Sequence, residues 1–239
     1  MFGTYSPPLS LSSKSFKMKL ERGRERNSWK YYRKLKDEEK TVSLVFSKGD
    51  VIINPVEPVN LPKNISSALM IELSSPLILA PKESVKIYLT FPVEIGVLLV
   101  REKQYRVLDI FSFLPAKYTL YGEVTSGVVC KYWCSDVHLS LPKVNPLEEG
   151  VLELRVTNAS GEWVDVKEAV FNAYGMKIYF DKTLVAMRGT MKVIGEEIAE
   201  TNFIDAPLRE GMKKAVEIYV ARKVVIPVQQ TKFVMEEGV

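Results

Sequence analysis

Hydrophobic and polar residues alternate along most of this chain. Val42, Leu44 and Phe46 form one such set and Val85, Ile87 and Leu89 another, while residues 151–156 read V-L-E-L-R-V and residues 176–180 read M-K-I-Y-F. A period of two sends successive side chains to opposite faces of a strand, and branched and aromatic residues pack well on a pleated surface. Turn chemistry separates the runs, as in Lys48-Gly49-Asp50, Ser74-Ser75-Pro76, Ala159-Ser160-Gly161 and Arg188-Gly189. Strands recurring about every 8 to 12 residues predict an all-β sandwich or barrel instead of a βαβ sheet. Helix is expected only as a turn or two, at 196–200 and at 208–214 ahead of an alternating stretch over 215–221.

The segment 139–150, LSLPKVNPLEEG, combines two prolines, an Asn-Pro pair and acidic residues, and reads as a linker or a sandwich-crossing loop. The expected architecture is two β-sandwich-like domains, immunoglobulin-like or jelly-roll-like, at 41–145 and 146–239. An N-terminal basic β-hairpin within residues 1–40 is expected to pack on the first.

Charge changes the picture in one place. Residues 14–36 carry a net charge of +8 against +4 for the whole chain, which leaves −4 for everything else. That asymmetry concentrates positive potential at one end of the chain. Phe16, Trp29, Tyr31 and Tyr32 are interleaved with the cations. Cations beside exposed aromatics can hold phosphates and stack bases, so Lys17, Lys19, Arg22, Arg24, Arg26, Trp29, Lys30, Tyr32, Arg33 and Lys34 are candidate nucleic-acid or anion-binding residues. The competing reading turns Trp29 and Tyr31 inward and leaves the lysines to solvate an edge strand.

Elsewhere the chemistry is sparse. Cys130, Cys134 and His138 are weak metal candidates with C-x3-C-x3-H spacing. On a strand, neighbours four residues apart stand about 13 Å from each other, too far to share one zinc, so neither a metal nor a cofactor is expected. His138 is the only histidine, and G-x-S-x-G, H-E-x-x-H, G-x-x-x-x-G-K-[ST] and G-x-G-x-x-G are all missing; no catalytic residue is assigned. Residues 92–97 and 117–122 place single polar groups among apolar strand residues, as a sandwich end or shallow pocket would.

No run approaches the roughly 18 to 20 apolar residues of a membrane-spanning helix, and residues 1–20 lack a signal-peptide pattern. A soluble cytoplasmic protein is expected. Richness in Lys and Glu, with Gln only at 104, 229 and 230, points to a thermophilic source.

The phrases MFG at the start, VEPVNLP at 56–62, FPVEIGV at 91–97, KYTLYG at 117–122, CKYW at 130–133 and FVMEEGV at the end resemble an archaeal family known as domain of unknown function number four hundred and thirty-two. The resemblance implies a thermophilic β protein and supplies no activity, ligand or site. The expected function is a non-enzymatic binding or scaffolding module, with another protein or self-association through edge strands as the partner. Nucleic acid or an anionic surface on the hairpin is the first alternative. A hydrolase or carbohydrate-active enzyme with a site between the domains is the second.

Overall fold

The computed structural model describes residues 1–226 and 231–239. The chain is all-β and sandwich-like, with sheets that pack face to face and close no barrel. After a short strand β1 (Gly3–Tyr5), four strands follow in a meander: β2 (Leu9–Ser13), β3 (Phe16–Arg22), β4 (Ser28–Leu35) and β5 (Glu38–Val45). The basic hairpin is present, pairing Phe16 with Leu35 and Arg22 with Trp29, and β5 extends it. Alternation sets its two faces: Phe16, Met18, Leu20, Trp29, Tyr31, Arg33 and Leu35 point inward, and Lys17, Lys30 and Lys34 point outward.

The inward face rests on the sheet β1-β6-β9-β10, formed with β6 (Asp50–Val56), β9 (Glu94–Arg101) and β10 (Gln104–Phe111). Phe16 stacks on Phe111 with centroids 5.2 Å apart, and Tyr31 reaches Asp109 of β10. Gly96 lies at the centre of this sheet because a Cβ there would sit 2.7 Å from Val56 Cγ1.

Two further sheets interleave the halves of the chain. One has the order β11-β12-β7-β14, from β11 (Tyr118–Tyr121), β12 (Val128–Ser135), β7 (Ala68–Leu79) and β14 (Val164–Asn172). The other is built on β8 (Ser84–Pro92), β13 (Glu149–Asn158), β16 (Val185–Val193) and β15 (Tyr179–Phe180). β18 (Lys213–Lys214), β17 (Ala199–Ile204) and β19 (Phe233–Met235) complete it. Thus β7 pairs with β14 and β8 with β13, across the boundary expected at 145/146. One continuous apolar core runs from Leu9 through Leu89 and Leu152 to Val239. The proline-rich segment is a crossing loop between strands of shared sheets.

The expected turns at 196–200 and 208–214 are not helical; β17 begins at Ala199 and β18 occupies Lys213–Lys214. The α-helix α1 (Ile218–Ala221) falls instead inside the stretch expected to alternate. Tertiary contact decides this: Ile218 and Ala221, three residues apart and on one helical face, bury against Val56, Leu98 and Ile110. Likewise, only Tyr179–Phe180 of the expected strand at 176–180 pairs, because a 3-10 turn at Ala173–Gly175 capped by Asn172 precedes it. Among the described residues no helix is long and apolar enough to cross a membrane.

Candidate anion-binding groove

The segment after β6 returns over the sheet as V-E-P-V-N-L-P, and buried Glu94 on β9 holds it there. The amide of Asn60 donates to Glu94 Oε2 at 2.9 Å and that of Leu61 to Oε1 at 3.3 Å. Lys131 of β12, equally buried, donates to Glu94 Oε1 at 3.1 Å and to the Leu61 carbonyl at 3.0 Å. Its ammonium lies 5.3 Å from the centre of the Tyr118 ring, whose hydroxyl donates to the same carbonyl. Burial raises the Glu94 pKa, and the Lys131 charge and the two amides oppose that rise. The two polar interruptions noted at 92–97 and 117–122 therefore meet at one place, where they position a loop.

A second buried carboxylate fixes α1. Both oxygens of Glu57 accept the Ile218 N–H at 3.2 Å, and burial pushes the pKa of Glu57 up to about 7. Asn54 brackets Val216, accepting from its amide at 3.4 Å. Lys177 donates to Glu217 at 2.7 Å and to the Tyr219 hydroxyl at 3.0 Å. A helix of one turn cannot stand alone, so these contacts and its two apolar anchors hold it in place.

Between the loop, the β10 side of its sheet and α1 lies a groove of about 870 Å³. Lys40, Lys63, Arg101, Arg106, Arg222 and Lys223 line it. Its one lining carboxylate, Asp109, is fully buried and already engaged by Arg33 at 2.6 Å, Lys40 at 2.7 Å and the Tyr31 hydroxyl at 2.9 Å. Among the described residues, the side chains of Lys63, Arg106, Arg222 and Lys223 have no ion-pair partner, whereas Arg101 stands 3.6 Å from Glu102. Behind the groove, a chamber of about 270 Å³ shares Asn60, Lys63 and Arg222 with it and adds Glu57, Tyr174 and Tyr219.

The hairpin residues divide between surface and interior. Arg33 is 1% exposed, bound to Asp109 and to Glu38 at 2.7 Å, and Trp29 is buried on Phe46 with its Nε1 donating to the Phe46 carbonyl. Both side chains lie on the inward face of β4, as the inward reading expects for Trp29, and Trp29 also lines the cavity at the hairpin tip. Lys17, Lys30 and Lys34 are exposed and Lys19 and Tyr32 half-buried, with Lys19 paired to Glu21 and Lys34 to Glu39. At the hairpin tip Arg22, Arg24 and Arg26 are exposed around a cavity of about 410 Å³, with Arg22 over the Trp29 ring. Loop 46–49 links this tip to the groove end. The Phe46 amide donates to the Asn27 carbonyl at 2.9 Å, and Gly49 packs beside Val100 next to Arg101.

Cys130 and Cys134 lie four residues apart on β12, the first buried and the second exposed. Burial pushes the Cys130 thiol up to about 12, away from the thiolate a metal needs. His138 sits beyond the strand end, in a backbone bridge with Tyr88. Among the described residues no group of three or more His, Cys, Asp or Glu side chains is placed to hold a metal. The groove itself left no signal in the sequence, because its cations come from positions 40, 63, 101, 106, 222 and 223 and form no run.

A family model described as protein of unknown function (DUF432) matches residues 1–236. No curated protein and no solved structure matches the chain.

Proposed function

The chain belongs to that family, whose description assigns no activity, so we propose a function from the groove itself: a non-enzymatic binding protein for single-stranded nucleic acid. The observation that carries this reading is a concave surface with six cations and a single, already neutralised carboxylate. Cations held without partners raise the local concentration of anions, and phosphates that displace their own counterions bind with a strong salt dependence. A concave groove of this size receives a few nucleotides of one strand, whereas a planar lipid surface meets protruding charges. Tyr105, which lines the groove, and Tyr219 behind it offer ring faces for bases. The tip arginines continue the positive tract beyond Arg101.

The test is fluorescence anisotropy of a labelled oligothymidine titrated over a range of salt concentrations. Affinity falls with salt, and replacing Arg106 and Arg222 with Ser lowers the slope by about one unit for each phosphate that is no longer neutralised. Lys167→Ser, on the exposed face of β14, leaves the slope unchanged. Absent binding, or a slope that ignores the groove substitutions, overturns the reading.

A further inference from the structure

The chamber behind the groove differs from it in one respect: it contains a carboxylate. Glu57 is 3% exposed and borders the cavity. Apart from its own backbone amide, the Ile218 N–H is the sole donor among the described residues to meet its two oxygens, although a carboxylate has about four acceptor sites. Neither Lys63 nor Arg222, which line the same chamber, forms an ion pair with it. A buried carboxylate with spare acceptor sites at the border of an open space calls for donors from outside the chain. Tyr174 and Tyr219 flank the space with rings at 83° and centroids 6.5 Å apart, and so present both a ring face and an edge to a flat guest.

We infer that this chamber is a base pocket selective for guanine, seating one unstacked base of the strand that lies in the groove. The inference rests on the nucleic-acid reading above. Among the common bases, guanine alone presents two adjacent donors, N1–H and the 2-amino group, on its Watson–Crick edge, for the acceptor sites of the carboxylate that the shared Ile218 N–H leaves open. Lys63 and Arg222 border both spaces, and they meet the phosphates on either side of that base. Single-stranded recognition works in this way, with bases splayed out, stacked on aromatic rings and read along their edges.

The experiment compares three oligonucleotides by anisotropy: oligothymidine, the same strand with one central guanine, and the same strand with hypoxanthine there, which keeps N1–H and lacks the amino group. The single guanine tightens binding about tenfold or more, the size of a good bidentate pair, and hypoxanthine loses most of that gain. In Glu57→Gln, whose amide oxygen still accepts the Ile218 N–H, the ratio of guanine to thymine affinities falls toward one. Equal affinity for all three strands in the wild-type protein, with salt-dependent binding intact, overturns the pocket and leaves the groove standing. A guanine preference that survives Glu57→Gln also overturns it. Failure of every strand to bind removes both readings, and the hypoxanthine comparison needs no variant to fold.

Discussion

At the residue scale, the buried carboxylates carry the measurable consequences. Folding raises the Glu57 pKa from about 4.5 to about 7, so the native state binds more protons than the unfolded chain between those values. The stability this group contributes is therefore present at acid pH and is lost as pH rises toward 7, by about 3 kcal/mol in all. Glu57→Gln cannot titrate, so the difference in urea-unfolding free energy between variant and wild type should grow in favour of the variant from pH 5 to pH 8. A parallel pair of curves would contradict the burial of the ionised group. Asp109 matters through its partners, since it satisfies three donors at once. Asp109→Ala strands Arg33, whose Nη1 already lacks a partner, together with Lys40 and Tyr31. A loss of about 3 to 5 kcal/mol in the same measurement is expected.

At the scale of elements, close approach between strands sets the limits. Gly150 of β13 pairs with Phe91 of β8, and a Cβ added there would lie 2.2 Å from the Phe91 ring. Gly150→Ala should cost about 1 to 3 kcal/mol through displaced packing, seen as a lower melting temperature. The hairpin shows how much of an element is legible. Its strands, register and inward aromatic face all follow from alternation, and Arg33 could be assigned inward by parity with Trp29, Tyr31 and Leu35. What parity does not convey is that a charged residue on that face is matched: the partner, Asp109, lies 76 residues away. Trp29 and Arg33, candidates for their place in the basic run, both lie on that inward face. Helix α1 was illegible for a related reason, because four residues carry too little periodicity and its form depends on Glu57, more than 160 positions earlier.

For the whole molecule, the strands of the two halves share sheets and one core. Separate chains of residues 1–145 and 146–239 would leave β7 and β8 without β14 and β13, so the amides of these four strands should lose their dispersion in the separate chains and recover it on mixing. Two independently folded halves would argue against a shared core. The sequence by itself determined the all-β class, several strand positions, the basic hairpin with its inward face, and the family, because each rests on periodicity, turn chemistry or phrases contiguous in the chain. Only the tertiary structure decided the interleaving of the sheets, the pairing of Arg33 with Asp109 and the groove with its rear chamber. Lys40, Lys63, Arg106, Arg222 and Glu57 become neighbours through long-range strand pairing and loop anchoring, and a linear pattern holds no record of which distant residues share one cavity.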